Sequence, residues 1–273
     1  MNSLAEAQHA PECSLADQSR LSPDDECAGV RARPFAAIGM NVIARMFSTC
    51  GLILGVVLQF PGAALAANDF SAAEQALFID NQLSKLQLPL TLQYGYRKTG
   101  TLEEAFEDKV GVVLTAKSDG VCCAASARFF TGARAMSQPD VEGFQGNPAI
   151  LYFLERDIRE MERLTTGKAN YFRKRIRMAV YQGASIRNLT LLYRGHPVAV
   201  QEISITPYLD DPNRLRYEKL ANKQYLFMLA DAVPGGLYGI RTRIDGASAD
   251  TAPLMVEEIL IDGAEPASNK HQP

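Results

Sequence analysis

Histidine is nearly absent from this chain. Three occur in 273 residues, and only His196 lies in the stretch that reads as folded. It sits beside Gly195 in a tight turn, so the usual general base is missing, and with it the Ser-His-Asp and Cys-His arrangements. The same scarcity excludes histidine-rich metal sites. Of five cysteines only Cys122 and Cys123 lie beyond residue 50, too few for a four-sulfur zinc site. A phosphate loop is lacking too, because Val233-Pro234-Gly235-Gly236 has neither the lysine nor the following helix. No cofactor and no metal follow from this inventory.

Charge of one sign is also missing. The chain has 28 basic and 31 acidic residues, of which 4 and 6 precede Ala67, leaving 24 against 25 beyond it. A balance this even exerts no general pull on nucleic acid or on an anionic membrane. There is no internal repeat and no interior linker, so one domain is expected.

No apolar run is long enough to span a bilayer. The longest, Gly51–Phe60, is preceded by Met40-Asn-Val-Ile-Ala-Arg-Met with its single positive charge at Arg45 and is followed by Ala64-Leu65-Ala66. Charged start, short apolar core and Ala-x-Ala ending are the parts of a secretory signal peptide spanning 40–66, cleaved after Ala66. Residues 1–39 are polar and aperiodic, as expected of an N-terminal extension from a start assigned upstream of Met40. Cys50 stands before the apolar run, not after it where an acylated lipoprotein cysteine would stand. The expected mature chain is periplasmic, begins at Ala67, folds over 67–262 and ends in a polar, disordered tail, 263–273.

What is present begins with one long helical segment. Asn147-Pro148 pairs an N-cap residue with proline at the first helical position, where its missing N–H does no harm. Ile150, Leu151, Leu154, Ile158, Met161 and Leu164 then recur at three- and four-residue steps, among Glu155, Arg156, Arg159, Glu160 and Arg163. The pattern predicts helices over 148–165 and 170–182, with Gly167 as the stop between them. The second carries Tyr171, Phe172, Ile176 and Val180 against Arg173, Lys174, Arg175 and Arg177. A lead-in helix is expected over 71–86, ended by Pro89.

Elsewhere the period is two. Leu90–Arg97, Val110–Lys117 and Val121–Phe130 alternate as strands, the last two joined at Ser118-Asp119-Gly120 by a hairpin signal. After the helices, Ile186–Arg194 and Val198–Thr206 flank Gly195-His196, with Pro197 marking an edge. Asp211-Pro212 opens a brief helix. Gln224–Ala230 and Leu237–Ile244 are joined through a type II turn at Val233–Gly236, and Leu254–Ile261 is the last strand. About eight strands with a two-helix insertion midway predict an α+β fold: a curved, mainly antiparallel, half-barrel-like sheet with helices on its open face.

Three functional classes fit. In the first, an apolar or amphipathic ligand such as a lipid, or an envelope partner protein, sits between sheet and helices, with Arg97, Lys98, Arg173, Lys174, Arg175 and Arg177 meeting an anionic head group. The second is a carboxylate-based hydrolase of envelope polysaccharide, using Asp210-Asp211, Glu257-Glu258 or Glu155 with Asp157. The third is a structural or assembly factor of the envelope. Cys122-Cys123 leaves three states open: thiols packing as small hydrophobes, a vicinal disulfide taken up by a bulge, or intermolecular or redox use.

Overall fold

The structure, a computed structural model, describes residues 70–117, 122–248 and 250–266. The signal segment, residues 1–39, the turn Ser118-Asp119-Gly120 and the end of the tail lie outside the described residues. Nine strands form one antiparallel sheet: β1 (Leu90–Thr99), β2 (Phe106–Ala116), β3 (Cys122–Phe129), β4 (Met136–Glu142), β5 (Ser185–Tyr193), β6 (His196–Ile205), β7 (Gln224–Leu229), β8 (Leu237–Ile244) and β9 (Met255–Ile261). Their order across the sheet is β4-β3-β2-β1-β9-β8-β7-β6-β5. The chain thus steps outward from β1 to the β4 edge, crosses the sheet, restarts at the opposite edge with β5, and returns until β9 pairs with β1.

The crossing is made by two helices. α1 (Ala72–Glu74), capped by Ser71 and Glu74 in a reciprocal box, runs on as a π turn over Gln75–Ile79. α2 (Pro148–Thr165) and α3 (Ala169–Gly183) pack against each other, α2 also against β3 and α3 against β6. The curved antiparallel sheet with helices inserted between its strands agrees with the α+β expectation.

Alternation explains which face they cover. In β1, Leu92, Tyr94, Tyr96 and Lys98 are buried while Thr91, Gln93, Gly95 and Arg97 are exposed. The register then places Glu257, Ile259 and Ile261 of β9 opposite Lys98, Tyr96 and Tyr94 on the same concave face. Val112, Leu114, Phe129, Phe227, Ile240 and Ile244 join Leu154, Ile158 and Met161 of α2 in one core. Leu189 and Leu191 are only half-buried, because β5 is an edge strand.

Several local expectations are corrected. Nine strands are present where about eight were read. The addition, β4, carries Pro139 and lacks clean alternation, both tolerable because it pairs only with β3. The lead-in helix stops at Ile79 instead of running to residue 86. Gly167 is not the helix stop. Thr166 takes the left-handed conformation, φ 56°, and a Cβ on Gly167 would lie 2.5 Å from the Phe172 ring. The β5–β6 turn is Arg194-Gly195, both with positive φ, not Gly195-His196. Pro197 does lie beyond the reach of β7, whose pairing with β6 begins at Gln201. Two short 3-10 turns, Arg214–Arg216 and Glu218–Asn222, stand in place of one brief helix, neither with a side-chain cap; Asp211 Oδ1 accepts the Asn213 N–H at 2.7 Å just ahead of the first.

Candidate functional site

Two features lie between the helices and the concave face: a buried charge cluster and an apolar cavity. The cluster follows from α2 turning Arg156 and Asp157 toward the sheet. Asp157 accepts hydrogen bonds from Lys223 and, at 2.6 Å, from the Tyr225 hydroxyl, and Asp157 and Lys223 are both fully buried. Arg156 Nη2 donates to Glu257 Oε1 at 2.8 Å, and the Tyr96 hydroxyl donates to the same oxygen at 2.6 Å. Lys98 reaches Glu103, with Glu160 and Glu257 at 3.8 and 3.7 Å.

Burial pulls the Glu257 carboxyl upward, but Arg156 and Lys223 outweigh it and hold the group well below its ordinary range. Burial pushes the Tyr225 and Tyr96 hydroxyls well above theirs. Glu257 is therefore an ionised carboxylate enclosed by cations, the opposite of a general acid poised to give up a proton. Glu258, its neighbour, lies on the convex face, where Arg241 Nη2 meets it at 2.5 Å. Asp211 is enclosed by Asn213, Tyr171 and Arg175.

The cavity measures about 560 Å³. Its floor and sides come from α2 (Leu151, Leu154, Ile158), α3 (Ile176, Val180), the π turn (Phe78) and β4 (Pro139, Val141). Leu151 belongs to the apolar stripe by spacing yet is 39% exposed, because it borders this opening. Gln138 and Val141, three residues apart, reach the same concave face through a register break: they pair with Ala127 and Ala125, which share that face. At the same break the Ala125 carbonyl accepts the Tyr152 hydroxyl at 2.7 Å, tying α2 to β3.

Charge collects around the opening. Arg159, Arg173 and Arg177 line it, with Glu155 and Glu74. Arg173 forks onto Glu155, Nη2 to Oε1 at 2.7 Å and Nε to Oε2 at 3.0 Å, and Arg159 touches the same carboxylate at 3.3 Å. Burial raises Glu155, but these guanidinium bonds outweigh it and hold it low. Arg177 is exposed and has no ion-pair partner among the described residues.

The six basic residues expected to act together are separated. Arg173 and Arg177 reach the cavity. Arg175 points elsewhere, to Pro207 O at 3.1 Å and Asp211 at 3.0 Å. Lys174 is exposed away from the cavity lining. Arg97 and Lys98 face opposite sides of β1: Arg97 lies opposite Glu107 and Glu258 on the exposed convex face, and Lys98 is inside the acid cluster. Cys122 is exposed and Cys123 fully buried, side by side where the β2–β3 register breaks at Thr115/Ala116, with their sulfurs in contact. Neither lines the cavity. Arg159, Gln138 and Val141, like Glu74, Phe78 and Pro139, are site residues that sequence reasoning missed. Arg159 was visible as a cation one turn after Glu155, but nothing in the β4 sequence marks its inward face.

No family model matches the sequence, and no curated protein matches it. Among solved structures, a crystal structure of the Mycobacterium tuberculosis lipoprotein LppX is similar at 11% identity, over 65% of this chain and 87% of that chain, with a TM-score of 0.27.

Proposed function

We propose that this is an exported, non-enzymatic protein that binds one amphipathic ligand. The apolar body of the ligand occupies the cavity between α2, α3 and β4, and an anionic head sits among Arg159, Arg173 and Arg177. The observation that carries this reading is the cavity itself: about 560 Å³, apolar on nearly every side, with a cation at its opening, Arg177, that has no ion-pair partner among the described residues. Small-molecule pockets run from roughly 300 to 1,000 Å³ and combine apolar walls with a few placed polar groups. One ligand fits, not several.

The signal-peptide features of residues 40–66 support export, and no helix among the described residues is long and apolar enough to cross a membrane. The hydrolase alternative draws no support from the carboxylates. Glu257 and Asp157 are enclosed by Arg156 and Lys223, and Glu155 is held low by Arg173.

The test is to purify the protein from its native host, sequence its N-terminus and identify bound lipids by mass spectrometry. Ala67 at the terminus and a co-purifying anionic amphiphile are expected. Added back at about 100 times its dissociation constant, that lipid should stabilise the protein by about 2.7 kcal/mol. A terminus at Met1 or Met40 overturns export. No bound lipid, together with an unmoved thermal midpoint across a lipid panel, overturns ligand binding.

A further inference from the structure

The cavity is bounded on its sheet side. Of the nine strands only β4 contributes to its lining, because the space between α2 and the centre of the sheet is already taken. Tyr94, Tyr96, Tyr225 and Phe227 of the concave face are buried, as is Phe153 on the inner side of α2. The Arg156–Glu257 and Lys223–Asp157 pairs close the same interface. Parting such a pair to admit more hydrocarbon would leave a buried charge without its partner. The room for a ligand's apolar body at this helix–sheet interface is therefore the cavity of about 560 Å³ and no more.

Volume then sets the length. An engineered apolar cavity of about 150 Å³ holds benzene, so at the same ratio about 560 Å³ holds on the order of twenty carbons. That is one long acyl chain, and the second chain of a diacyl lipid finds no place beside it. Charge sets the head. Three guanidiniums, of Arg159, Arg173 and Arg177, line the cavity with two carboxylates, of Glu74 and Glu155, which leaves one positive charge in excess. Both carboxylates are engaged, Glu155 by Arg173 and Arg159 and Glu74 by the Ser71 N–H. We infer that the ligand is a single-chain amphiphile, one acyl chain under a head with one negative charge, and that the filled concave face excludes diacyl lipids. The inference rests on the cavity being the ligand site. A free fatty acid and a lysophospholipid share this chemistry.

The length is tested with saturated carboxylates of about 8 to 24 carbons displacing a fluorescent stearate: each added methylene should tighten binding about fourfold until the cavity is full, with a plateau at about 18 to 22 carbons. Val141→Phe directs extra ring carbons into the cavity and should bring that plateau in by about four carbons, an undiminished thermal midpoint being the check on folding. Stearoyl lysophosphatidylglycerol and distearoyl phosphatidylglycerol, offered together in equal amounts and read by native mass spectrometry, should leave the lyso form bound at one copy per protein and the diacyl form free. Monostearin, the same chain under a neutral head, should displace a fewfold less well than stearate. Stearate against the lyso lipid in the same competition supports the inference whichever is retained, and names the head. Affinity that climbs unbroken to the longest acid, or a diacyl lipid retained as well as the lyso form, overturns the single chain, and monostearin equal to stearate overturns the charged head. The cavity reading survives each of those results. If stearate does not bind, or if a folded Val141→Phe protein leaves the plateau unmoved, both fall.

Discussion

Arg156 on α2 and Glu257 on β9 form an ion pair at 2.8 Å across the interface between helix and sheet, with Glu257 fully buried and Tyr96 bonded to the same carboxylate oxygen. One residue on, Asp157 makes the parallel contact to Lys223. These pairs fix α2 in height and rotation over the centre of the sheet, so the wall it gives the cavity is set before any ligand arrives. A buried pair has this use even when its net contribution is small, because desolvation cancels much of the attraction.

Breaking one partner is a different matter from removing both. Lys223→Met leaves Asp157 buried with only the Tyr225 hydroxyl, and should cost about 3 to 5 kcal/mol in urea denaturation. The double change Asp157→Leu with Lys223→Met should recover most of that loss. A double variant as unstable as the single one would show that the pair contributes more than mutual compensation.

Acid should loosen the helix–sheet interface. The Glu257 carboxyl is held below its ordinary value of 4.5 when folded, as are Glu103 and Glu155. Each depressed group binds protons more readily in the unfolded chain, so its contribution is complete above the unfolded value and is lost as pH falls toward the folded one. The thermal midpoint should therefore be flat near neutrality and decline below about pH 4.5. Glu257→Gln should lower the midpoint at neutral pH and shrink that decline. An unchanged acid slope in the variant would assign the decline to other carboxylates.

How much of this was legible depends on the range of the interaction. The start of α2 was readable because Asn147 and Pro148 are adjacent, and the strand periods because alternation is local. Burial of Arg156 and Asp157 was not, since Lys223 and Glu257 lie 66 and 101 residues away along the chain. A charged residue on a helix reads as solvated until its distant partner is known. β4 escaped for a related reason: an edge strand bonded on one side tolerates Pro139 and an irregular register, and the same irregularity turned Gln138 and Val141 inward.

Asn147 does more than cap. Its Oδ1 accepts the Ala149 N–H at 2.9 Å, while Nδ2 donates to the Tyr94 hydroxyl at 3.0 Å and to the Gly235 carbonyl at 2.8 Å. Gly235 has φ 72°, as the third position of a type II turn requires, and its carbonyl is thereby aimed at the helix start. Asn147→Ala should cost about 1 kcal/mol for the cap and about 1 to 3 more for the two abandoned acceptors. Asn147→Asp keeps the cap and removes only the donors, so it should fall between the two. Equal midpoints for Asp and Asn would mean that the bonds to Tyr94 and Gly235 contribute nothing.

The cysteine pair calls for a mass measurement. Cys123 is buried and Cys122 stands beside it in a strand paired on both sides, so neither has the flexible setting that bridging between chains needs. Non-reducing electrophoresis should show a monomer. The peptide spanning both residues, isolated from an oxidising compartment, should be lighter than its dithiol form by a pair of hydrogens and regain them on reduction. A reducible dimer would refute the first statement, and an unaltered dithiol mass the second.

The cavity can be closed from a position that bears no other duty. Val141 is half-buried, lies on the edge strand opposite Ala125 and lines the opening without hydrogen-bonding through its side chain. Val141→Phe adds volume directed into empty space instead of into packed core, so the usual overpacking cost of about 1 to 3 kcal/mol should be largely avoided. Affinity for an anionic amphiphile should drop at least about tenfold, as expected when a ligand loses well over a kcal/mol of apolar contact. Arg177→Gln leaves the walls intact and removes the cation that has no ion-pair partner among the described residues. It should weaken the same ligand a fewfold and reduce the salt dependence of binding, because an exposed charge acts within a screened distance of about 10 Å at 0.1 M salt. A Val141→Phe protein that folds and binds as tightly as wild type would place the ligand somewhere else on the molecule. An Arg177→Gln protein with unaltered salt dependence would remove the anionic head from the mouth while leaving its apolar body inside.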